Sequence, residues 1–449
     1  MDSENPKSLS ATTGPSSFSH LDEIPLDPHY ALKEEFAADP SSTKVILGSG
    51  IYRDGEGVPW ILPTVQKIEK QIAAADESDR YDYLPIPGYA PFCNKAQIIL
   101  FGYRKDESMP IISVQTIGGT GANFLGARFL AESLKPSAVW LSDPSWVNHE
   151  NIWSSAGVKV KYYPYWDKEN KSLDLENMLK TLDQEAKPGD VVVLHACAHN
   201  PTGVDPKRRQ WKRIAELCLK RELFPFFDCA YQGFASGNLD NDSWAVTYFA
   251  SKMELGAAQS FSKNMGLYGE RVGALHFLVK SPKEEAKVKG HLLHLQRGQI
   301  SQPPRRGAKI VAEILHDRAW FHWWLRDVRK MSFRMKDMRE KLHKELVALG
   351  TPGDWGHILT QIGMFSYTGL SEEQVESMKK ESHVYILKSG RMSIPGLNNS
   401  NVKYVAQAID KAVRMGSQPV VEAEASTQPE PEVEASTQPE PEPEVEAST

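Results

Sequence analysis

Four short apolar runs, near Ala138–Ser142, Val191–His195, Leu223–Phe227 and Ala274–Val279, alternate with stretches of helical spacing through the middle of the chain. Runs this short, with little polar alternation, read as strands covered on both faces. Strands that alternate with helices predict an α/β fold built on a mainly parallel sheet. In such a sheet, ligands collect beyond the carboxyl ends of the strands. The residues that follow each run are therefore the first place to look for chemistry. At 449 residues, 41% of them hydrophobic, the chain is long enough for a large core and more than one domain.

Three of these places carry reactive side chains. The run that starts at Leu223 ends in Asp228, with Tyr231 three residues on. The run that starts at Val191 leads through His195 and His199 to Asn200-Pro201-Thr202-Gly203, where Asn200 offers a neutral donor and the Asn-Pro bond can be cis. Further on, Ser260–Arg271 sets Lys263 among two hydroxyls, Ser260 and Ser262, and closes on Arg271. A lysine there offers an amine to an aldehyde while its neighbours hold a phosphate. A strand-end carboxylate can keep a pyridine nitrogen protonated, and a phenol can bond the ring's oxygen. Those are the needs of pyridoxal phosphate. Each segment alone has a plainer reading: Asp228 as a helix cap, Asn-Pro-Thr-Gly as a turn, Lys263 as a solvated lysine. Their order and placement at strand ends favour the cofactor.

Taken together, the three segments resemble the aspartate aminotransferases, which are fold-type I pyridoxal-phosphate enzymes. The resemblance runs from about Leu26 to about Met415. It implies a large domain with a mainly parallel sheet, a smaller α+β domain, and a homodimer with shared active sites. It implies catalytic roles for Lys263, the Schiff-base lysine and proton carrier, for Asp228 against the pyridinium nitrogen, for Tyr231, and for Trp146 stacked on the ring. Asn200 and Tyr231 would bond the phenolic oxygen. Gly119 and Thr120, in Gly118–Gly121, would cradle the phosphate at a helix start, as small residues and a helix N-terminus can. Ser260, Ser262 and Arg271 would complete that clamp. His149 matches a partner of the pyridinium aspartate, and His195 another histidine nearby. Arg391 would grip the substrate α-carboxylate with two parallel hydrogen bonds. Arg297 would read the distal carboxylate and Tyr83 would reach the phosphate, both from the neighbouring subunit. Gly50 lies in the segment Lys44–Arg53, which closes over the substrate.

The chain departs from that pattern in places. Gly298 follows Arg297, and a glycine there loosens the backbone beside the specificity residue. The family usually has an aromatic residue near Ile300, and Asn at the position of Gln302. Ile46 replaces Asn and Ser49 a small apolar residue in the closing segment. Met265, Gly269 and Ala274 replace Phe, Asn and Asn around the lysine. The expected activity is amino-group exchange between L-aspartate or L-glutamate and 2-oxoglutarate or oxaloacetate. The alternative is a catalytically weak relative that keeps the fold and dimer for binding or scaffolding.

The organisation expected is an N-terminal arm over 1–26, a small domain from 27–59 and 331–415, a large cofactor-binding domain over 60–330, and an acidic repeat tail over 416–449. From Ser417 on there are nine Glu and no Lys or Arg, so the formal charge of −6 becomes +3 without that tail. Such a composition cannot bury enough apolar surface to fold. Over Trp320–Leu349, helical spacing puts Trp320, Trp324, Val328, Met331 and Met335 on one face, which reads as core and as the link between domains. The start of the chain is acidic, has no arginine before Arg53 and lacks an apolar signal core, and no run approaches a membrane span. Four cysteines without metal spacing suit a reducing compartment. These features predict a cytoplasmic protein that acts on small molecules, with neither nucleic acid nor membrane as partner.

Overall fold

The computed structural model describes residues 16–75, 81–102 and 110–416. The expectations for the acidic tail, apart from residue 416, and for the first fifteen residues of the arm lie outside them.

A seven-stranded sheet organises the chain. Its strands are β1 (Ile111–Ile117), β2 (Val139–Asp143), β3 (Val160–Pro164), β4 (Val191–His195), β5 (Phe224–Cys229), β6 (Leu255–Ser260) and β7 (Val272–Leu278), in the spatial order β1-β7-β6-β5-β4-β2-β3. The strands from β3 across to β6 run parallel. Strand β7 is antiparallel to both of its neighbours. The four apolar runs correspond to β2, β4, β5 and β7. Buried strands need no polar alternation, and β4 and β7 are buried at every position.

Register decides which side chains meet. His195 pairs with Asp228 across β4 and β5, and Cys229 with Gln259 across β5 and β6. The ends of three parallel strands therefore bring His195, Asp228 and Ser260 to one edge. Because β7 runs the other way, its first residues lie at that same edge. Val272 pairs with Ile117, and the Gly118 N–H donates to the Arg271 carbonyl at 2.9 Å. The antiparallel strand thus delivers Arg271 to the place where the parallel strands end.

Packing fixes the sheet against its helices. Phe226 is fully buried, and a Cβ on Gly126 or Gly256 would lie 2.6 Å from its ring, so small residues on the covering helix and on β6 leave room for it. Asp190, just before β4, is 1% exposed. It accepts hydrogen bonds from the Ala138 and Lys187 N–H groups, Ser137 Oγ and Trp140 Nε1, at 2.7–3.0 Å. Burial pushes its carboxyl pKa up, and these donors outweigh that and hold it below the ordinary value.

The segments 27–59 and 331–415 meet through one small pairing, in which Val45–Ile46 runs parallel to Val384–Tyr385. A second pairing, Phe365–Tyr367 antiparallel to Arg391–Ser393, lies within 331–415. The helix Arg318–Ala348 buries Trp324, Val328, Met331 and Met335, as its spacing predicts, leaves Trp320 half-buried against the same core, and passes residues 330 and 331 without a break. No helix among the described residues is long and apolar enough to cross a membrane.

Candidate active site

Beyond the carboxyl ends of β4, β5 and β6 lies a cavity of about 690 Å³. Its lining includes thirteen of the residues singled out in the sequence: Gly50, Gly119, Thr120, Trp146, His195, Asn200, Asp228, Tyr231, Ser260, Ser262, Lys263, Arg271 and Arg391. Tyr83 and Arg297 do not line it. Tyr83 is 81% exposed, and Arg297 is exposed on the helix Pro282–Ile300, where it donates to Ser301 Oγ. Gly298 lies in the last turn of the same helix, which ends at Ile300.

At one end of the cavity a helix begins. Ile117 ends β1, Gly118 has a φ of +65°, and the helix Gly118–Ser133 starts at once. A Cβ on Gly118 would lie 2.6 Å from Arg271 Nη2, and one on Gly119 2.8 Å from the Ser260 Cβ. Only glycines leave this cradle open. Arg271 Nη1 donates to the Tyr268 carbonyl at 3.0 Å and to Ser262 Oγ at 3.4 Å, and Ser260 Oγ accepts from the Ser262 N–H. Free N–H groups, two hydroxyls and a guanidinium converge here, a donor set that suits a phosphate.

In the middle, Asp228 is 8% exposed and accepts from His149 Nε2 at 2.9 Å. A polarised chain stands behind that bond. The Asn200 N–H donates to His195 Nδ1 at 3.1 Å, which leaves the His195 proton on Nε2, 3.4 Å from Ser145 Oγ. Ser145 can then donate to His149 Nδ1 at 3.0 Å. Burial, helped by His149, pushes the His195 pKa down to about 3, so His195 is neutral. Burial pushes the Asp228 carboxyl up, yet the hydrogen bond from His149, with the Lys263 charge nearby, outweighs it, and Asp228 stays a carboxylate. Burial also raises the Tyr231 phenol. Lys263 Nζ lies 5.5 Å from the Tyr231 ring centre. Burial lowers the Lys263 pKa to about 8, with Arg271 and Arg391 adding to the fall and Asp228 opposing it. Trp146 stands edge-on to His149, with ring centres 5.1 Å apart. The Asn200–Pro201 bond is cis.

At the other end is Arg391, 8% exposed. It donates to Asn200 Oδ1 at 3.2 Å and to the Gly48 carbonyl at 3.1 Å, while its Nε is buried without a partner. Its guanidinium lies 4.1 Å from the centre of the Phe365 ring. Phe365 is the residue that sequence reasoning missed: it sits in Ile362–Phe365, a stretch with no recognisable motif. His29, also unforeseen, places Nδ1 3.4 Å from Arg391 Nη2, and Asp27 caps the helix that begins there by accepting from the His29 N–H.

The phosphate cradle, the central carboxylate and the buried amine fit pyridoxal phosphate, and comparison with known proteins agrees. The family model for aminotransferase class I and II matches residues 42–409. The chain is 45% identical to the cytoplasmic aspartate aminotransferase of Schizosaccharomyces pombe, over 88% of this chain and 98% of that protein. It is 46% identical to the L-tyrosine:2-oxoglutarate aminotransferase of Aspergillus ustus, over 87% of this chain and 77% of that one. The crystal structure of the aromatic-amino-acid aminotransferase from Burkholderia pseudomallei, covalently bound to pyridoxal phosphate, superposes with a TM-score of 0.86 at 38% identity, over 89% of this chain and all of that one. The chain belongs to the class I and II aminotransferases. It has their α/β, fold-type I architecture, and it is an aminotransferase with pyridoxal phosphate as cofactor.

Proposed function

We propose that the protein exchanges amino groups between L-aspartate or L-glutamate and 2-oxoglutarate or oxaloacetate, as a cytoplasmic homodimer whose subunits share their active sites. The observation that carries this reading is that an amine, Lys263, a carboxylate, Asp228, and a carboxylate-binding guanidinium, Arg391, all line one cavity beside a phosphate cradle. Pyridoxal phosphate, when bound, supplies an aldehyde and an electron-accepting ring.

The chain's own residues then divide the work. Gly119, Thr120, Ser260, Ser262 and Arg271 would hold the phosphate, with Tyr83 of the second subunit adding to the clamp. Asp228, kept ionised by its bond from His149, would hold a proton on the ring nitrogen. Asn200 and Tyr231 would hydrogen-bond the ring oxygen, and Trp146 would cover the ring. Lys263 Nζ moves the proton at the substrate α-carbon. Its pKa of about 8 leaves a useful fraction of neutral amine at physiological pH. Arg391, already aimed by Asn200, Gly48 and Phe365, fixes the α-carboxylate, and Arg297 of the second subunit reads the distal one. Gly50 and its neighbours cover the bound substrate. We read 27–59 with 331–415 as a small domain and 60–330 as the large one.

Nothing in the site favours the scaffold alternative, since each of these groups is retained. The test is borohydride fixation of the cofactor followed by peptide mapping, with an assay of aspartate and 2-oxoglutarate. A label on a lysine other than Lys263, or no amino transfer, overturns the reading.

A further inference from the structure

Arg339 lies in the C-terminal half of the helix Arg318–Ala348 and is 3% exposed. Among the described residues it has no carboxylate partner. A buried guanidinium without one is costly unless its N–H groups are satisfied otherwise. Here they point at one segment: to the carbonyls of Ile358 at 3.4 Å, Gly363 at 3.1 Å and Phe365 at 2.6 Å. Charge-assisted bonds to carbonyls on both sides of a bend hold both of its arms in place.

That bend is locked to the turn carrying Asn200. The Ile362 N–H donates to the Gly203 carbonyl at 2.8 Å. Gly203, with a φ of +67°, approaches so closely that a Cβ would lie 2.6 Å from the Phe365 carbonyl, the one that takes Arg339's shortest bond. A Cβ on Gly363 would overlap that of Ala198. Beyond the bend, the Phe365 ring lies under Arg391 and stands edge-on to Tyr231, with ring centres 6.2 Å apart. Two arms of the site, Asn200 on one and Phe365 on the other, therefore rest on one buried cation that does not line the cavity.

We propose that Arg339 is a positioning residue for carboxylate recognition: through the Phe365 carbonyl it sets the ring beneath Arg391 and, through the bend, the turn that presents Asn200 to the same guanidinium. The inference rests on the reading of Arg391 as the carboxylate site. A lysine at 339 keeps the charge but can reach fewer of the three carbonyls.

The test uses the holoenzyme. Maleate, a dicarboxylate that cannot react, is titrated by calorimetry into the natural protein, Arg339→Lys, Phe365→Leu and the double variant, and KM and kcat are measured alongside. Small displacements around a site are costly in recognition, so Arg339→Lys should weaken maleate and raise the substrate KM by about tenfold, with kcat changed by less than about threefold. The affinity for pyridoxal phosphate should not move. In the Phe365→Leu background the same change should cost less than it does alone, because the ring it positions is gone and only the turn that presents Asn200 still depends on it. The proposal is overturned if Arg339→Lys lowers the melting temperature while leaving maleate affinity and KM unchanged, or if the two substitutions simply multiply. Absence of amino transfer in the natural protein would instead remove the proposed function, and maleate titration would still judge Arg339.

Discussion

His149 Nε2 donates to Asp228 Oδ2 at 2.9 Å, and it is the last donor in a chain that starts at the Asn200 backbone. Every donor in that chain can point toward the carboxylate. Asp228 thus keeps its charge in a nearly dry site, where an isolated carboxylate would take up a proton. The same chain accounts for the burial of His149 and His195, which would otherwise be idle polar groups in the core.

Removing the carboxylate should separate chemistry from binding. Asp228→Ala is expected to lower turnover by roughly 10² or more, the scale seen when one well-aimed electrostatic group is lost. Cofactor occupancy should fall much less, because the phosphate cradle is untouched. Absorbance and single-turnover kinetics on the same sample check this; near-normal turnover would contradict the role given to Asp228.

Lys263 should act against stability before the cofactor arrives. Its folded pKa is lowered from 10.5 to about 8, so the unfolded chain binds more protons between those values. Apoenzyme stability should therefore rise with pH through that window. Lys263→Met removes the buried amine at similar volume. It should abolish transamination and stabilise the apoenzyme at pH 7 by up to about 3 kcal/mol, with the advantage fading as pH approaches 10.5. Denaturant unfolding at pH 7 and pH 10 reads both effects, and an advantage that grew with pH would refute the assignment.

Asp190→Ala should be among the more damaging substitutions away from the active site. It strands two backbone N–H groups, a hydroxyl and an indole N–H in the interior at the root of β2 and β4. Each unsatisfied group costs about 1–3 kcal/mol, partly recovered by water, so a loss of about 3 kcal/mol or more is expected. Thermal and urea unfolding measure it, and a change within 1 kcal/mol would show that water replaces the carboxylate fully.

Much of this was legible in the sequence, for physical reasons. β2, β4, β5 and β7 announce themselves because strands covered on both faces are continuous apolar runs, and their ends carry Asp228 and the approach to Asn200. β6 was missed because Leu255-Gly256-Ala257-Ala258-Gln259-Ser260 is small rather than apolar, a composition set by the bulk of Phe226 beside it. The reversed direction of β7 was equally invisible, since no local pattern records strand polarity. Phe365 and Arg339 escaped notice because their roles exist only where distant segments meet. The helical setting of Gly298, in the last turn of Pro282–Ile300, was likewise not legible from the residue alone.

Arg297 supplies the sharpest test of the dimer. It is exposed and outside its own protomer's cavity, so reading a distal carboxylate requires the second subunit's active site. Arg297→Ala should lower kcat/KM for aspartate and glutamate by roughly a hundredfold, through an unpaired carboxylate in a partly dry site, and hardly affect alanine. Co-expression with Lys263→Ala then distinguishes the two arrangements. If the site is shared, a mixed dimer has one active site with Lys263 from the Arg297→Ala subunit and Arg297 from the Lys263→Ala subunit, and that site is intact. Activity on aspartate should return in the purified mixed dimer, although each variant alone lacks it. If Arg297 served its own subunit, every site in the mixed dimer would still carry one of the two defects and no activity would return. The ratio of aspartate to alanine turnover in the mixed dimer decides the matter: a natural ratio means a shared site, and the Arg297→Ala ratio means a separate one.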